Sequence, residues 1–124
     1  MARIVVIVDD TDSVASSLAL AFESIPGVQS VIAHNSAEAL RLFTAADSKI
    51  AAIVTDFNLP FLDGFELIRR IRSLAPYSNL PAIMISADEK AGQIGAPARY
   101  RPNAIFAKPC SLKEVSRVLE ELLA

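Results

Sequence analysis

The hydrophobic pattern of the chain alternates between short apolar runs and longer stretches in which apolar residues recur at helical spacing. Five runs predict β-strands, at residues 4–8, 28–33, 50–54, 82–85 and 104–107. Helical spacing follows at 14–25, 36–46, 65–74 and 112–122. Strands that alternate with helices through short connections predict an α/β fold, in which a parallel five-stranded sheet lies between two helical layers. The run at 28–33 is the less apolar of the first two, so we expect it near an edge of the sheet.

The segment between the fourth and fifth predicted strands interrupts this pattern. It carries Gly92, Gly95, Pro97 and Pro102 and no apolar stripe. A glycine costs about 1 kcal/mol and a proline about 3 kcal/mol inside a helix. We therefore expect a fourth helix that is short or irregular, covering little beyond residues 88–94.

Two local features of the predicted helices can be checked directly. Asp12 or Ser13 is placed to cap the first helix. Arg69, Arg70 and Arg72 lie opposite the apolar stripe of the third helix, which predicts that all three face water.

Composition narrows the class of protein. Hydrophobic residues make up 52% of the 124 residues, enough for one buried core, so we expect a single domain over residues 1–124. No apolar run approaches the roughly 18 residues of a membrane span, and we expect a soluble, cytoplasmic protein. The net charge of −2, without a basic run, argues against nucleic acid as a direct partner. The single cysteine, Cys110, excludes an internal disulfide and a cysteine-cluster metal site.

Charged side chains follow three of the predicted strands, at the edge where open α/β sheets bind ligands. Asp9 and Asp10 follow the first strand, Asp56 the third and Lys108 the fifth, while Ser86 ends the fourth. Two like charges at 4 Å repel by roughly 4 kcal/mol at an effective dielectric of 20. Such a cluster requires compensation, which Lys108 supplies in part. The remaining negative charge on oxygen ligands favours Mg²⁺.

Taken together, these residues resemble the receiver domain of two-component response regulators, over essentially the whole chain. The matching positions are Asp9-Asp10, Asp56, Asn58-Leu59-Pro60, Asp63-Gly64, Ser86 and Lys108-Pro109. The resemblance implies a flavodoxin-like (βα)5 three-layer sandwich with strand order 2-1-3-4-5. It is compatible with a stand-alone regulator and with a receiver excised from a longer protein.

The resemblance also implies a function for each site residue. Asp56 would accept a phosphoryl group from the phosphohistidine of a sensor histidine kinase or a histidine phosphotransfer protein. Asp10, Asp56 and the backbone carbonyl of Asn58 would hold Mg²⁺, with Asp9 acting mostly through a metal-bound water. Lys108 and Ser86 would bind the phosphoryl oxygens, and the Lys108-Pro109 peptide would be cis. Phosphorylation would switch a contact with an unknown downstream protein through the fourth helix, the fifth strand and the last helix.

One position departs from the family pattern. Receivers usually carry Tyr or Phe three residues before the lysine, and this chain has Ile105 there. The aromatic Phe106 is one residue later, and should face the opposite side of its strand. We expect an atypical readout of phosphorylation, with Tyr100 or residues 92–102 as candidates to replace the aromatic switch.

Two other functions stay open on the sequence. One is a receiver-like interaction module that works without phosphorylation. The other is a small phosphohydrolase with Asp56 as nucleophile, for which Asp56-Phe57-Asn58 fits the start of a motif whose second aspartate is missing.

Overall fold

The computed structural model describes residues 3–45, 49–87 and 101–124. The strands are β1 (Arg3–Val8), β2 (Val28–Ala33), β3 (Ile50–Asp56), β4 (Ala82–Ser86) and β5 (Ala104–Ala107). The helices in this part of the chain are α1 (Asp12–Glu23), α2 (Ser36–Thr44), α3 (Gly64–Arg72) and α4 (Leu112–Leu123), and a 3-10 turn covers Ala75–Tyr77. The predicted fourth helix at 88–94 and Tyr100 lie outside the described residues.

The strands form one parallel sheet in the order β2-β1-β3-β4-β5. This confirms the flavodoxin-like strand order, and it places β2 at one edge as the weaker apolar content of that strand predicted. The central strand β3 is buried along almost its whole length, because helices cover both faces of the sheet.

Alternating side chains of the strands supply two separate cores. Val5 and Ile7 face α1 and α4 on one side of the sheet, whereas Val6 and Val8 face α2 and α3 on the other. The three layers predicted from the apolar pattern are therefore present. No helix of the described residues is both long enough and apolar enough to cross a membrane.

The prediction that Arg72 faces water is wrong. This residue is only 7% exposed, although Arg69 and Arg70 are exposed as expected. The guanidinium donates hydrogen bonds to the carbonyls of Leu80 and Arg101 and to Oδ1 of Asn103. Acceptors that come from outside the helix make burial of the charge possible, and a helical pattern does not reveal them.

The expected cap of α1 is also wrong. Thr11 is the N-cap, and it makes no side-chain cap hydrogen bond. Its backbone N–H instead donates to Oδ1 of Asp9 at 2.8 Å. The backbone at the start of α1 thus holds the Asp9 carboxylate in place, and no side chain caps the helix.

Candidate functional site

The strand register brings the ends of β1, β3, β4 and β5 to one edge of the sheet. Val8 pairs with Thr55, so the next residues, Asp9 and Asp56, leave neighbouring strands side by side. On the far side of β3, Ser86 pairs with Ala107, and Lys108 follows directly. The site residues predicted from separate strand ends therefore share one edge.

Three carboxylates form a cluster at this edge. One carboxylate oxygen from each of Asp9, Asp10 and Asp56 lies within 4.8 Å of the others. Asp9 and Asp56 are 2% and 7% exposed, and Asp10 is open to solvent. Two buried acids and one exposed acid, all offering hard oxygen ligands, are a donor set that fits Mg²⁺ and leaves an open side for water or a phosphoryl group.

Lys108 closes the cluster from the β5 side. Its Nζ donates to Oδ2 of Asp56 at 3.1 Å and lies 3.6 Å from Oδ2 of Asp9. Burial lowers the pKa of the Lys108 ammonium, but the hydrogen bond and charge of Asp56, assisted by Asp9, outweigh burial and raise the pKa above its usual value. The lysine is therefore held as a cation between the two buried acids. The Lys108-Pro109 peptide is cis, as expected.

Asp9 is the acid of the cluster whose charged form the surroundings disfavour. Burial raises the pKa of its carboxyl, the hydrogen bond from the Thr11 N–H and the charge of Lys108 lower it, and the charges of Asp56 and Asp10 raise it again. The net change is upward, so the charged form of Asp9 is disfavoured in the folded chain. A bound cation would reverse that balance.

The two oxygens of Asp56 have different partners. Oδ1 accepts from the backbone N–H of Asn58 at 3.3 Å, and Oδ2 accepts from Lys108. Ser86 is 2% exposed at the end of β4, and its backbone carbonyl accepts from the Lys108 N–H at 2.9 Å. The Asn58 N–H and Lys108 Nζ therefore orient the Asp56 carboxylate, one at each oxygen.

The profile of the family described as response regulator receiver domain matches residues 5–120. The chain belongs to this family. The match includes each of the residues in the site.

Curated relatives extend this result. The receiver domain is 32% identical over 117 residues to an uncharacterised 14.6 kDa protein in the sodA1 3′ region of Leptolyngbya boryana, covering 94% of this chain and 87% of that protein. It is 25% identical over 91 residues to a chemotaxis protein CheY homologue of Campylobacter jejuni, covering 73% of this chain and 69% of that protein.

Solved structures agree on the fold. The chemotaxis response regulator CheY4 of Vibrio cholerae matches with a TM-score of 0.84 at 21% identity, over 99% of this chain and 100% of that chain. A putative response regulator from Chloroflexus aurantiacus matches with a TM-score of 0.82 at 27% identity, over 99% of this chain and 98% of that chain. These similarities support a CheY-type receiver domain, with histidine kinases or phosphotransfer proteins and downstream targets as its general classes of partner.

The departure from the usual switch pattern is visible in β5 of this receiver domain. Ile105 is 41% exposed, whereas Phe106 packs on the core side with α1 and α4. The two side chains lie on opposite faces, as the strand period predicted. His34 lies outside the carboxylate cluster, between Asp12 and Glu38.

Two residues at the junction of β3 and α3, Gly64 and Phe61, have a geometry that the sequence does not reveal. The sequence assigns Gly64 only to a turn and helix start, yet a Cβ there would lie 2.8 Å from the Asp56 carbonyl oxygen and 2.9 Å from Sδ of Met84. Phe61 has a positive φ of 74° and a fully exposed side chain. The Asp63-Gly64 pair is the sequence signal that points to Gly64, and the sequence holds no signal for Phe61.

Proposed function

We propose that Asp56 takes a phosphoryl group from a phosphohistidine of a sensor histidine kinase or histidine phosphotransfer protein. The observation that carries this proposal is the contact of the buried Asp56 carboxylate with Lys108 at 3.1 Å, beside two further acids. Phosphoryl transfer requires a positioned nucleophile and stabilisation of charge on the equatorial oxygens. This edge of the sheet offers both.

In the proposed step, a carboxylate oxygen of Asp56 attacks phosphorus and the bond between phosphorus and the donor imidazole breaks. The imidazole nitrogen keeps the electron pair and takes a proton from water. The phosphoryl group then lies where Lys108 Nζ and the Ser86 hydroxyl can donate to its oxygens. Lys108 is already a cation beside the acceptor carboxylate, so it needs no proton transfer before it binds the phosphoryl oxygens.

The residues that would hold Mg²⁺ are Asp9, Asp10, Asp56 and the backbone carbonyl of Asn58, with Asp9 acting mainly through water. When bound, the ion would supply positive charge that reduces the repulsion between the acids and the incoming phosphoryl oxygens. Asp9 and Asp56 keep their places through Thr11, Asn58 and Lys108.

The phosphorylated carboxyl would change the protein surface through Lys108. A phosphoryl group adds about −1.5 to −2 charges, and it would compete with Asp9 for the ammonium. Lys108 connects β5 to α4 through Pro109, so its displacement would reach both elements. We propose that this movement switches a contact with a downstream protein.

Incubation with acetyl phosphate and Mg²⁺ tests the chemistry without a kinase. We expect the wild-type chain to show a slower band on a phosphate-affinity gel, and Asp56→Asn to show none. Asp63→Asn is the matched control, because it removes a carboxylate from the same loop while Asn can still cap α3.

If the wild-type chain gave no Asp56-dependent band, the phospho-acceptor function would be excluded. The phosphorylation-independent interaction module would then become the better description. A band that survives in Asp56→Asn would place the modification at another residue.

A further inference from the structure

Phe61 projects from the loop between β3 and α3 with its side chain uncovered by the rest of the chain. Its exposure of 101% contrasts with the remaining phenylalanines, which are buried or partly buried. These are Phe22, Phe43, Phe57, Phe65 and Phe106. Folding gives every other phenylalanine a packed environment, so this ring contributes nothing comparable to the core.

The backbone at Phe61 is strained. The Leu62 N–H donates to the Pro60 carbonyl at 2.9 Å, which closes a γ-turn with Phe61 at its centre and a φ of 74°. A positive φ is unfavourable for a residue with a bulky side chain, whereas Gly and Asn adopt it readily. Strained backbone of this kind is held in place by the surrounding structure, and it clusters at active sites and ligand-binding loops.

The loop that carries the ring is fixed at both ends. The Gly64 N–H donates to the Phe57 carbonyl at 2.8 Å, and Leu59 packs against the core between the ends. Phe61 is three residues beyond Asn58, whose N–H binds Asp56. At about 3.6 Å per residue, its backbone lies within roughly 11 Å of that contact. The ring is therefore carried by a loop that hydrogen bonds and packing anchor on either side, in the neighbourhood of Asp56.

We propose that Phe61 is the apolar anchor that docks the protein carrying the phosphohistidine, by entering an apolar pocket on that protein. This inference rests on the proposed function. Asp56 is 7% exposed, so a donor side chain reaches it only when the donor surface comes down onto the loops around the site. Phe61 belongs to one of those loops.

The charge of the site supports an apolar contact at this place. Before a cation binds, Asp9, Asp10 and Asp56 repel a partner that carries a phosphoryl group, and Lys108 is already engaged by two of them. Affinity gained from an uncharged ring escapes this repulsion. Aromatic side chains, phenylalanine included, are also enriched at the cores of protein interfaces, and little conformational freedom is lost when they bind.

The test compares a protein donor with a small one. Phosphoryl transfer to the full chain is measured from acetyl phosphate and from an autophosphorylated histidine kinase or phosphotransfer protein of the same cell. For Phe61→Asn we expect the kcat/KM of transfer from the protein donor to fall at least about tenfold. The rate from acetyl phosphate should stay within about twofold of wild type. Phe61→Tyr keeps the aromatic ring and should transfer almost as well as wild type.

Each outcome decides a separate point. Asn tolerates the positive φ, so Phe61→Asn should melt no lower than wild type, and unfolding would not explain a lost transfer. Equal transfer from the protein donor to Phe61→Asn and wild type would overturn the inference. A parallel loss with acetyl phosphate would overturn it too, because the ring would then act on Asp56 within the chain.

The proposed function fails separately. If acetyl phosphate does not label wild-type Asp56, the phospho-acceptor chemistry itself is wrong. If acetyl phosphate labels it and no phosphohistidine protein does, the protein donor and its anchor are both excluded while the chemistry stands.

Discussion

Asp9 carries its negative charge in a place where a neutral group would be more stable. Burial and two neighbouring acids outweigh the hydrogen bond from Thr11 and the charge of Lys108, and the pKa of the Asp9 carboxyl is raised. The Asp9 carboxyl therefore binds a proton more tightly in the folded chain than in the unfolded chain. Stability from this group is present at low pH and is lost as the pH rises through the folded-state pKa.

Replacing Asp9 by Asn should stabilise the metal-free chain. Asn keeps an oxygen for the Thr11 N–H and removes the buried charge. At pH 7 with EDTA we expect the free energy of unfolding in urea to rise by about 1 kcal/mol. The difference should shrink as the pH falls towards 3.8, the ordinary carboxyl pKa, where both states of the wild-type chain become protonated.

The same substitution should weaken the response to metal. Addition of Mg²⁺ should raise the unfolding free energy of the wild-type chain and raise that of Asp9→Asn by less. A variant that is less stable than wild type in EDTA, or that gains equally from Mg²⁺, would contradict the proposal that Asp9 is a buried charge whose cost a bound metal ion offsets.

At the scale of elements, the start of α3 lies against the backbone at the end of β3, which carries Asp56. Asp63 caps α3 by accepting from the Glu66 N–H at 2.8 Å, and Gly64 directly follows the cap. The Gly64 N–H donates a hydrogen bond to the Phe57 carbonyl. The start of the helix is thereby pressed against the end of the strand, with no room for a side chain between them.

Gly64→Ala should damage both stability and chemistry. The added Cβ would lie 2.8 Å from the backbone oxygen of Asp56, so the helix start or the strand end must shift. We expect a loss of about 2 kcal/mol in unfolding free energy. We also expect a clear fall in the rate of phosphorylation by acetyl phosphate, because the shift moves the acceptor.

Gly27→Ala is the matched control for this prediction. Gly27 has a φ of 80°, and a Cβ added there would meet nothing within 4 Å, so alanine strains the backbone alone. It should reduce stability and leave the phosphorylation rate of the folded protein unchanged. If both variants lost the same fraction of that rate, the close contact at Gly64 would not be what positions Asp56.

At the scale of the whole molecule, Arg72 joins parts of the chain that are far apart in sequence. Its guanidinium, at the end of α3, donates to the Leu80 carbonyl ahead of β4 and to Asn103 ahead of β5. Asn103 Oδ1 also accepts from the Ala82 N–H at 2.9 Å. Burial lowers the pKa of Arg72. This network lies at the amino ends of β4 and β5, at the edge of the sheet opposite the carboxylate cluster.

Arg72→Met should therefore reduce global stability and spare the chemistry. The truncation leaves buried acceptors without their donor, and we expect a loss of about 3 kcal/mol in unfolding free energy by urea denaturation. Arg70→Met, two residues away on the exposed side of α3, should change it by less than about 0.5 kcal/mol. Equal effects of the two substitutions would show that the buried network is not what stabilises this end of the sheet.

Much of the fold and of the site follows from local patterns in the sequence. Five apolar runs, the first four of them separated by helical stripes, predicted the parallel sheet, because a strand covered on both faces must be apolar throughout. The acids and Lys108 could be assigned to one place, because the carboxyl ends of parallel strands meet at one edge. The family resemblance added the strand order, which periodicity does not contain.

The sequence alone thus determined which residues form the layers and which charged groups gather at the edge of the sheet. Tertiary structure decided the burial of Arg72, the exposure of Phe61 and the contact of Gly64 with Asp56. Arg72 is buried because its acceptors come from residues 80, 101 and 103, and Gly64 is constrained by the backbone it touches across a loop. Patterns of period two or 3.6 record the face of an element, whereas these features depend on atoms that other parts of the chain bring into contact.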